Sequence, residues 1–265
     1  MLSRLFKRPA TPVEPLVHGR PPRIPRGVRL YAVGDVHGRL DLLLEMESLI
    51  EQDRRARGRY RDVIIVHLGD LVDRGPDSAK VLEHLLASES VRPPTALLLG
   101  NHDLWLREFV AADIADPEQT ASWLRFGGDT TLLSYGIRLD PRQPVMERYD
   151  GARRQLQDRF PAEHAALLER LDPAFGFGDY YFCHAGIRPE VPLDRQSEVD
   201  LLWIREPFLS WSGECGKIVV HGHTVEDAPA IRKNRIGIDT GACWTGRLTC
   251  LVLEGTSRQF LQTGG

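Results

Sequence analysis

The chain of 265 residues carries a net charge of −3, with 42% hydrophobic and 27% charged residues. That length can bury one large core or two small ones, and the near-balanced charge gives no reason to expect a nucleic-acid partner. No apolar run approaches the roughly 18 residues of a membrane span, so no membrane partner is expected either.

Residues 1–27 are basic and proline-rich and contain no apolar h-region. They read as a disordered or extended tail, not as a secretory signal. The remainder, residues 28–265, reads as a single domain. Residues 29–33 form a short β-prone run that ends at Gly34-Asp35-Val36-His37-Gly38. Residues 40–50 read as an apolar-rich helix, followed by a solvated basic stretch over 54–61. A nearly all-apolar strand over 63–68 ends at Gly69-Asp70-Leu71-Val72-Asp73-Arg74-Gly75. Pro76, Asp77 and Ser78 then start a helix with its body over 79–86. A third buried strand, 96–99, ends at Gly100-Asn101-His102-Asp103. The order β-α-β-α-β implies a parallel sheet with a site at the carboxyl ends of its strands.

Residues 104–172 read as a helical insertion over the site, with helices at 105–112, 120–126 and 162–171. Strand patterns then return. Residues 180–183 deliver His184-Ala185-Gly186, and residues 218–221 deliver Gly222-His223-Thr224. Closing strands are expected at 236–239 and 248–253, with a turn at Trp244-Thr245-Gly246-Arg247. The four cysteines, Cys183, Cys215, Cys243 and Cys250, have no C-x-x-C spacing, so free thiols and a reducing, cytoplasmic setting are expected. No stretch argues for or against oligomerisation.

Each of the five motifs places Asp, Asn or His beside glycine, and four follow an apolar strand run. Oxygen and imidazole ligands on tight turns at strand ends are what a two-metal hydrolytic site requires. Asp35 and His37 stand two apart, so in an extended turn both side chains can grip one ion. Asp70 has two oxygens and can bridge two ions, which an imidazole cannot. Asn101, His184 and His223 complete a second position. The donor set has no thiolate and suits Mn²⁺, Fe or Zn²⁺.

Taken in order over residues 29–253, these motifs resemble those of the metallophosphoesterases. Within them the match is to the phosphoprotein phosphatase family of Ser/Thr phosphatases, above all its bacterial and phage-type members. The resemblance implies an α/β calcineurin-like metallophosphoesterase fold, two packed β-sheets flanked by helices. It implies that Asp35, His37 and Asp70 hold one ion and that Asp70, Asn101, His184 and His223 hold the other, with Mn²⁺ favoured. It also makes His102 the general acid, oriented by Asp73, and gives Arg74 and Arg205 to the phosphoryl oxygens. Arg205 belongs to Leu201-Leu202-Trp203-Ile204-Arg205, which is similar to the tryptophan-x-arginine segment of phage-type phosphatases. The ending Ile238-Asp239-Thr240-Gly241-Ala242 is similar to their C-terminal segment. Gly222-His223-Thr224-Val225 lacks the second histidine of the Gly-His-x-His found in broader metallophosphoesterases, as the phosphoprotein phosphatases do.

The activity this implies is hydrolysis of phosphoserine or phosphothreonine in a phosphoprotein or phosphopeptide, by direct attack of a hydroxide bridging the metals. Phosphotyrosine stays open as a further substrate. Asn101-His102-Asp103 departs from the usual Asn-His-Glu of protein phosphatases and matches the symmetrical dinucleoside tetraphosphate hydrolases, which are the alternative. Asp73, which that group tends to lack, argues the other way.

Overall fold

The computed structural model describes residues 17–56, 62–90 and 93–264. Strand β1 (Val28–Val33), helix α1 (Leu40–Ala56), strand β2 (Asp62–His67), helix α2 (Ser78–Ala87) and strand β3 (Thr95–Leu97) form the expected β-α-β-α-β start. The insertion comprises α3 (Asn101–Ala111), α4 (Pro117–Trp123), a π-turn over Leu124–Gly128, α5 (Asp129–Ser134), α6 (Val145–Arg159) and α7 (Ala162–Glu169). The chain continues through β4 (Ala174–Phe177), β5 (Tyr180–Cys183), α8 (Glu198–Trp203), β6 (Ile218–His221), β7 (Ala230–Ile231) and β8 (Arg235–Gly237). It closes with α9 (Ala242–Thr245), β9 (Thr249–Glu254) and β10 (Ser257–Gln262).

Two five-stranded sheets result, with strand orders β10-β9-β1-β2-β3 and β4-β5-β6-β8-β7. In the first, β1 and β2 run parallel, as do β2 and β3, while β9 lies antiparallel to β1. The sheets face each other across a core that includes Leu30, Ala32, Val66, Phe182, Val220 and Leu251. The pleat turns the alternate residues of β1, Tyr31 and Val33, to the opposite face, where they meet Leu42, Met46 and Ile50 of α1. Burial on both faces explains why β1 and β2 read as nearly continuous apolar runs. A third cluster, containing Leu82, Leu106, Trp123, Leu156 and Leu168, lies beneath the insertion helices. Among the described residues no helix is long and apolar enough to cross a membrane.

Three expectations change. Residues 17–27 are packed against the body, not held out as a tail. Val17 and Ile24 are buried in the core between the sheets. Arg20 pairs with Asp179 at 2.5 Å, and the Ile24 N–H donates to Gly255 at 3.0 Å. The prolines here hold an extended segment whose two apolar side chains enter the core, and residues 1–16 lie outside the described residues. Helix α6 was not expected, because its buried stripe is thin: Tyr149, Ala152, Arg153 and Leu156. Edge strands β4 and β10 were missed because half-exposed faces blur the apolar signal. Of the basic stretch 54–61, Arg54 and Arg55 close α1, paired to Glu51. The last part of that stretch lies outside the described residues.

Ile24→Ala should cost about 2–4 kcal/mol in a urea denaturation, the usual range for a buried isoleucine. A loss under about 0.5 kcal/mol would mean that this segment does not share the core.

Candidate metal centre

The turns after β1, β2, β5 and β6 meet the start of α3 at one end of the two sheets. Backbone hydrogen bonds tie these turns to each other. The N–H groups of Val36 and His37 donate to the Asp70 carbonyl at 3.1 and 2.8 Å, and the Gly222 N–H donates to the His184 carbonyl at 2.8 Å. Among the described residues seven non-glycines have positive φ, and five of them are His37, Asp70, Asp73, Arg74 and His223. Left-handed backbone in side-chain-bearing residues is sparse and concentrates where geometry is set by function. His37, at φ 46°, is therefore not in the extended turn that its spacing suggested. Two glycines permit the convergence: a Cβ at Gly100 would strike the Asp70 backbone and carboxylate, and one at Gly222 would strike Asp35 Oδ1.

The imidazoles are held in one orientation. His37 Nδ1 lies 2.9 Å from the Val72 carbonyl and His184 Nδ1 lies 2.9 Å from the Leu68 carbonyl. A carbonyl only accepts, so each Nδ1 carries the proton and each Nε2 of the neutral ring is a bare acceptor. Burial pushes the pKa of His37, His184 and His223 down, the last to about 2, so the neutral ring is the favoured form. Asp70 divides its oxygens between them. Its Oδ2 lies 3.4 Å from His37 Nε2, and its Oδ1 lies 3.4 Å from His184 Nε2. Asn101 Oδ1 faces His184 Nε2 at 2.9 Å.

Acceptors directed at acceptors inside a protein call for a cation between them. Two triplets, His37–Asp70–His102 and Asp70–His184–His223, bring their ligand atoms within 4.8 Å of one another. The Arg74 guanidinium stands 2.5 Å from His37 Nε2 and 3.0 Å from His102 Nε2, a positive group where the donor set asks for one. The residues present thus fit two divalent ions sharing Asp70. Asp35 is outside both triplets; its Oδ2 accepts the His223 N–H at 3.0 Å. His221 is turned away, toward the Gly222 carbonyl and the Phe208 ring.

His102 Nδ1 meets Asp73 Oδ2 at 2.7 Å. Asp73 is itself gripped from the insertion. Trp123 Nε1 donates to its Oδ2 at 2.8 Å and Thr131 Oγ1 to its Oδ1 at 2.6 Å. Burial nevertheless raises the Asp73 pKa above the ordinary carboxylate value. Neither Trp123 nor Thr131 was expected here, because an aromatic at helical spacing reads as core and a threonine carries no pattern. The third-motif departure, Asp103, points into the scaffold, where it accepts the N–H groups of Leu71 and Gly100 at 2.9 and 3.0 Å. Arg205 stays exposed at the edge, close enough for its charge to help lower the His223 pKa. Trp244, expected only as a turn residue, is 64% exposed, and its ring centroid lies 4.7 Å from the Arg74 guanidinium carbon. Cys183 is fully buried and its thiol donates to the Gly186 carbonyl, with burial pushing its pKa up.

The sequence model for calcineurin-like phosphoesterases matches residues 28–247, and the chain belongs to that family. A symmetrical bis(5'-nucleosyl)-tetraphosphatase from Methylobacillus flagellatus is 27% identical over 270 residues, covering 88% of this chain and 94% of that protein. Among solved structures, a candidate diadenosine tetraphosphatase superposes with a TM-score of 0.61 at 22% identity, covering 89% of this chain and 95% of the other. A protein serine/threonine phosphatase from Saccharomyces cerevisiae superposes with a TM-score of 0.54 at 13% identity, covering 89% and 79%. The solved structures establish the shared fold of two β-sheets flanked by helices.

Two substitutions test this geometry. Cys183→Ser should leave kcat within about threefold, because the thiol is buried and its proton is engaged; a thousandfold loss would implicate cysteine chemistry. Trp123→Phe keeps the packing and removes one donor to Asp73. It should lower kcat about tenfold on a phosphomonoester with KM nearly unchanged, measured by steady-state kinetics.

Proposed function

We propose that this phosphoesterase hydrolyses dinucleoside polyphosphates, with symmetrical cleavage of a bis(5'-nucleosyl) tetraphosphate as the leading reaction. The observation that carries this reading is the Arg74–Trp244 pair. A guanidinium at the metal centre can grip phosphoryl oxygens in a fork, and the exposed indole beside it offers a face on which a nucleobase can stack. The length-wide likeness to a protein named for this activity supports it.

Two divalent ions, held by Asp35, His37 and Asp70 and by Asp70, Asn101, His184 and His223, would supply an activated water and offset phosphoryl charge. The side chains do the rest. The Arg74 guanidinium stands against His37 Nε2 and His102 Nε2. A phosphoryl group that draws the guanidinium away exposes His102 Nε2. Asp73, bonded at Nδ1, then holds the ring with Nε2 facing the leaving oxygen, to which a proton on Nε2 can be given. Trp105, edge-on to His102 at 5.1 Å, walls the imidazole from water on one side.

The same dyad favours a second reading, a phosphoprotein phosphatase with phosphoserine or phosphothreonine substrates. A serine alkoxide is a poor leaving group and needs the proton. A nucleotide phosphate, whose last pKa is about 6, scarcely does.

The two readings separate in one experiment on Mn²⁺-loaded protein. Diadenosine tetraphosphate should exceed a phosphoserine/phosphothreonine peptide panel in kcat/KM. His102→Asn should cost the dinucleotide less than about tenfold and the peptides on the order of 10²–10⁴-fold. Trp244→Ala should raise KM for the dinucleotide about tenfold, one stacked base, while leaving p-nitrophenyl phosphate turnover unchanged. Peptide preference, with Trp244→Ala silent, would overturn the first reading in favour of the second.

A further inference from the structure

The closing segment Ile238-Asp239-Thr240-Gly241-Ala242 has no part in the site as assigned so far. Its backbone is threaded between two ligand turns. The Ile238 N–H donates to the His221 carbonyl at 2.9 Å. On the other side its carbonyl presses on Gly34, where a Cβ would lie 2.8 Å away. Asp239 thus follows directly from the contact with the turn that carries Asp35.

The two carboxylates are used alike. Asp239 is 3% exposed; its Oδ1 accepts the Gly241 N–H at 2.9 Å, and its Oδ2 has no hydrogen-bond partner. Asp35 is 2% exposed; its Oδ2 accepts the His223 N–H, and its Oδ1 has no hydrogen-bond partner. A bare carboxylate oxygen out of water is costly, and two on neighbouring segments are costlier because they repel. Ser, Thr or Asn would accept the Gly241 N–H equally well without that cost. The turn therefore does not explain the acid, whereas a cation beside Asp35 does.

We infer that Asp239 is a further cation-holding residue of this centre, acting with Asp35, His37 and Asp70 on the first of the two ions. It brings a negative charge to an ion otherwise held by two carboxylates and one imidazole. The inference rests on the two-cation reading of the centre and is independent of which phosphate compound is cleaved.

The test is calorimetric titration with Mn²⁺ and thermal melting of the full chain, wild type against Asp239→Asn. The amide keeps an oxygen for the Gly241 N–H and removes only the charge. The variant should bind one ion as the wild type does and the other about 10–100-fold more weakly. Freed of ions, it should melt at the wild-type temperature or higher, because a buried repulsion is gone, and the rise in Tm on adding Mn²⁺ should shrink. Unchanged affinity for both ions would overturn the inference. So would a metal-free variant that melts below the metal-free wild type, since that would make the side chain a structural one. Wild-type protein that takes up fewer than two ions would instead overturn the two-cation reading itself.

Discussion

Asp70 is the point on which the rest of the structure turns. It is 1% exposed and its two oxygens serve opposite sides of the centre, His37 and His102 through one, His184 through the other. A carboxylate in that position must be held in one rotamer, and the surrounding backbone does this. The His102 N–H donates to its Oδ1 at 3.0 Å, Gly69 and Asp70 itself take left-handed backbone, and Gly100 leaves room for the close approach. Asp103 then pins the following turn to the start of α3 through Leu71. Each neighbour is placed relative to this side chain, so strain in the turns is part of the geometry and is sustained by the double-sheet core behind them.

The insertion is bonded to the cluster around Asp70 and is more than a cover. Trp123 and Thr131 supply the donors that hold Asp73, and the Arg74 N–H donates to the Gly127 carbonyl at 3.1 Å. Both members of the dipeptide Asp73-Arg74 are therefore positioned by a segment fifty or more residues downstream. The aromatic group Trp105, Phe126 and Trp203 continues this surface from His102 outward. Changes in the insertion thus reach Arg74, and His102 through Asp73, without touching Asp70 or the histidines that face it.

The convergence of the residues expected as ligands was legible in the sequence because their placement is tied to local backbone: a strand ends, a glycine allows a turn, and a short polar side chain is presented. These six residues, together with His102 and Asp73, converge at one end of the sheets, with Asp35 standing back from the tighter triplets. Long-range hydrogen bonds leave no such local trace. Trp123 looks like core because most of it is core, at 1% exposure, and only the direction of its indole N–H reveals its task. Asp239 was legible only as part of a resembling segment, since what sets it apart is an oxygen with nothing to bind. Helix α6 and strand β10 escaped because a narrow or half-exposed apolar face weakens the periodic signal.

The segment that runs from Val17 to β1 joins both sheets at the end away from the centre. Ile24 is bonded to the turn between β9 and β10, while Arg20 and Arg23 are bonded to Asp179 before β5. It acts as a buckle on the closed side of a clamshell. That end of the sandwich is thereby bonded across its two sheets, while the turns that carry Asp35, Asp70, His184 and His223 meet at the other. Anything bound among those turns touches elements of both sheets and so bears on how firmly the two halves stay shut.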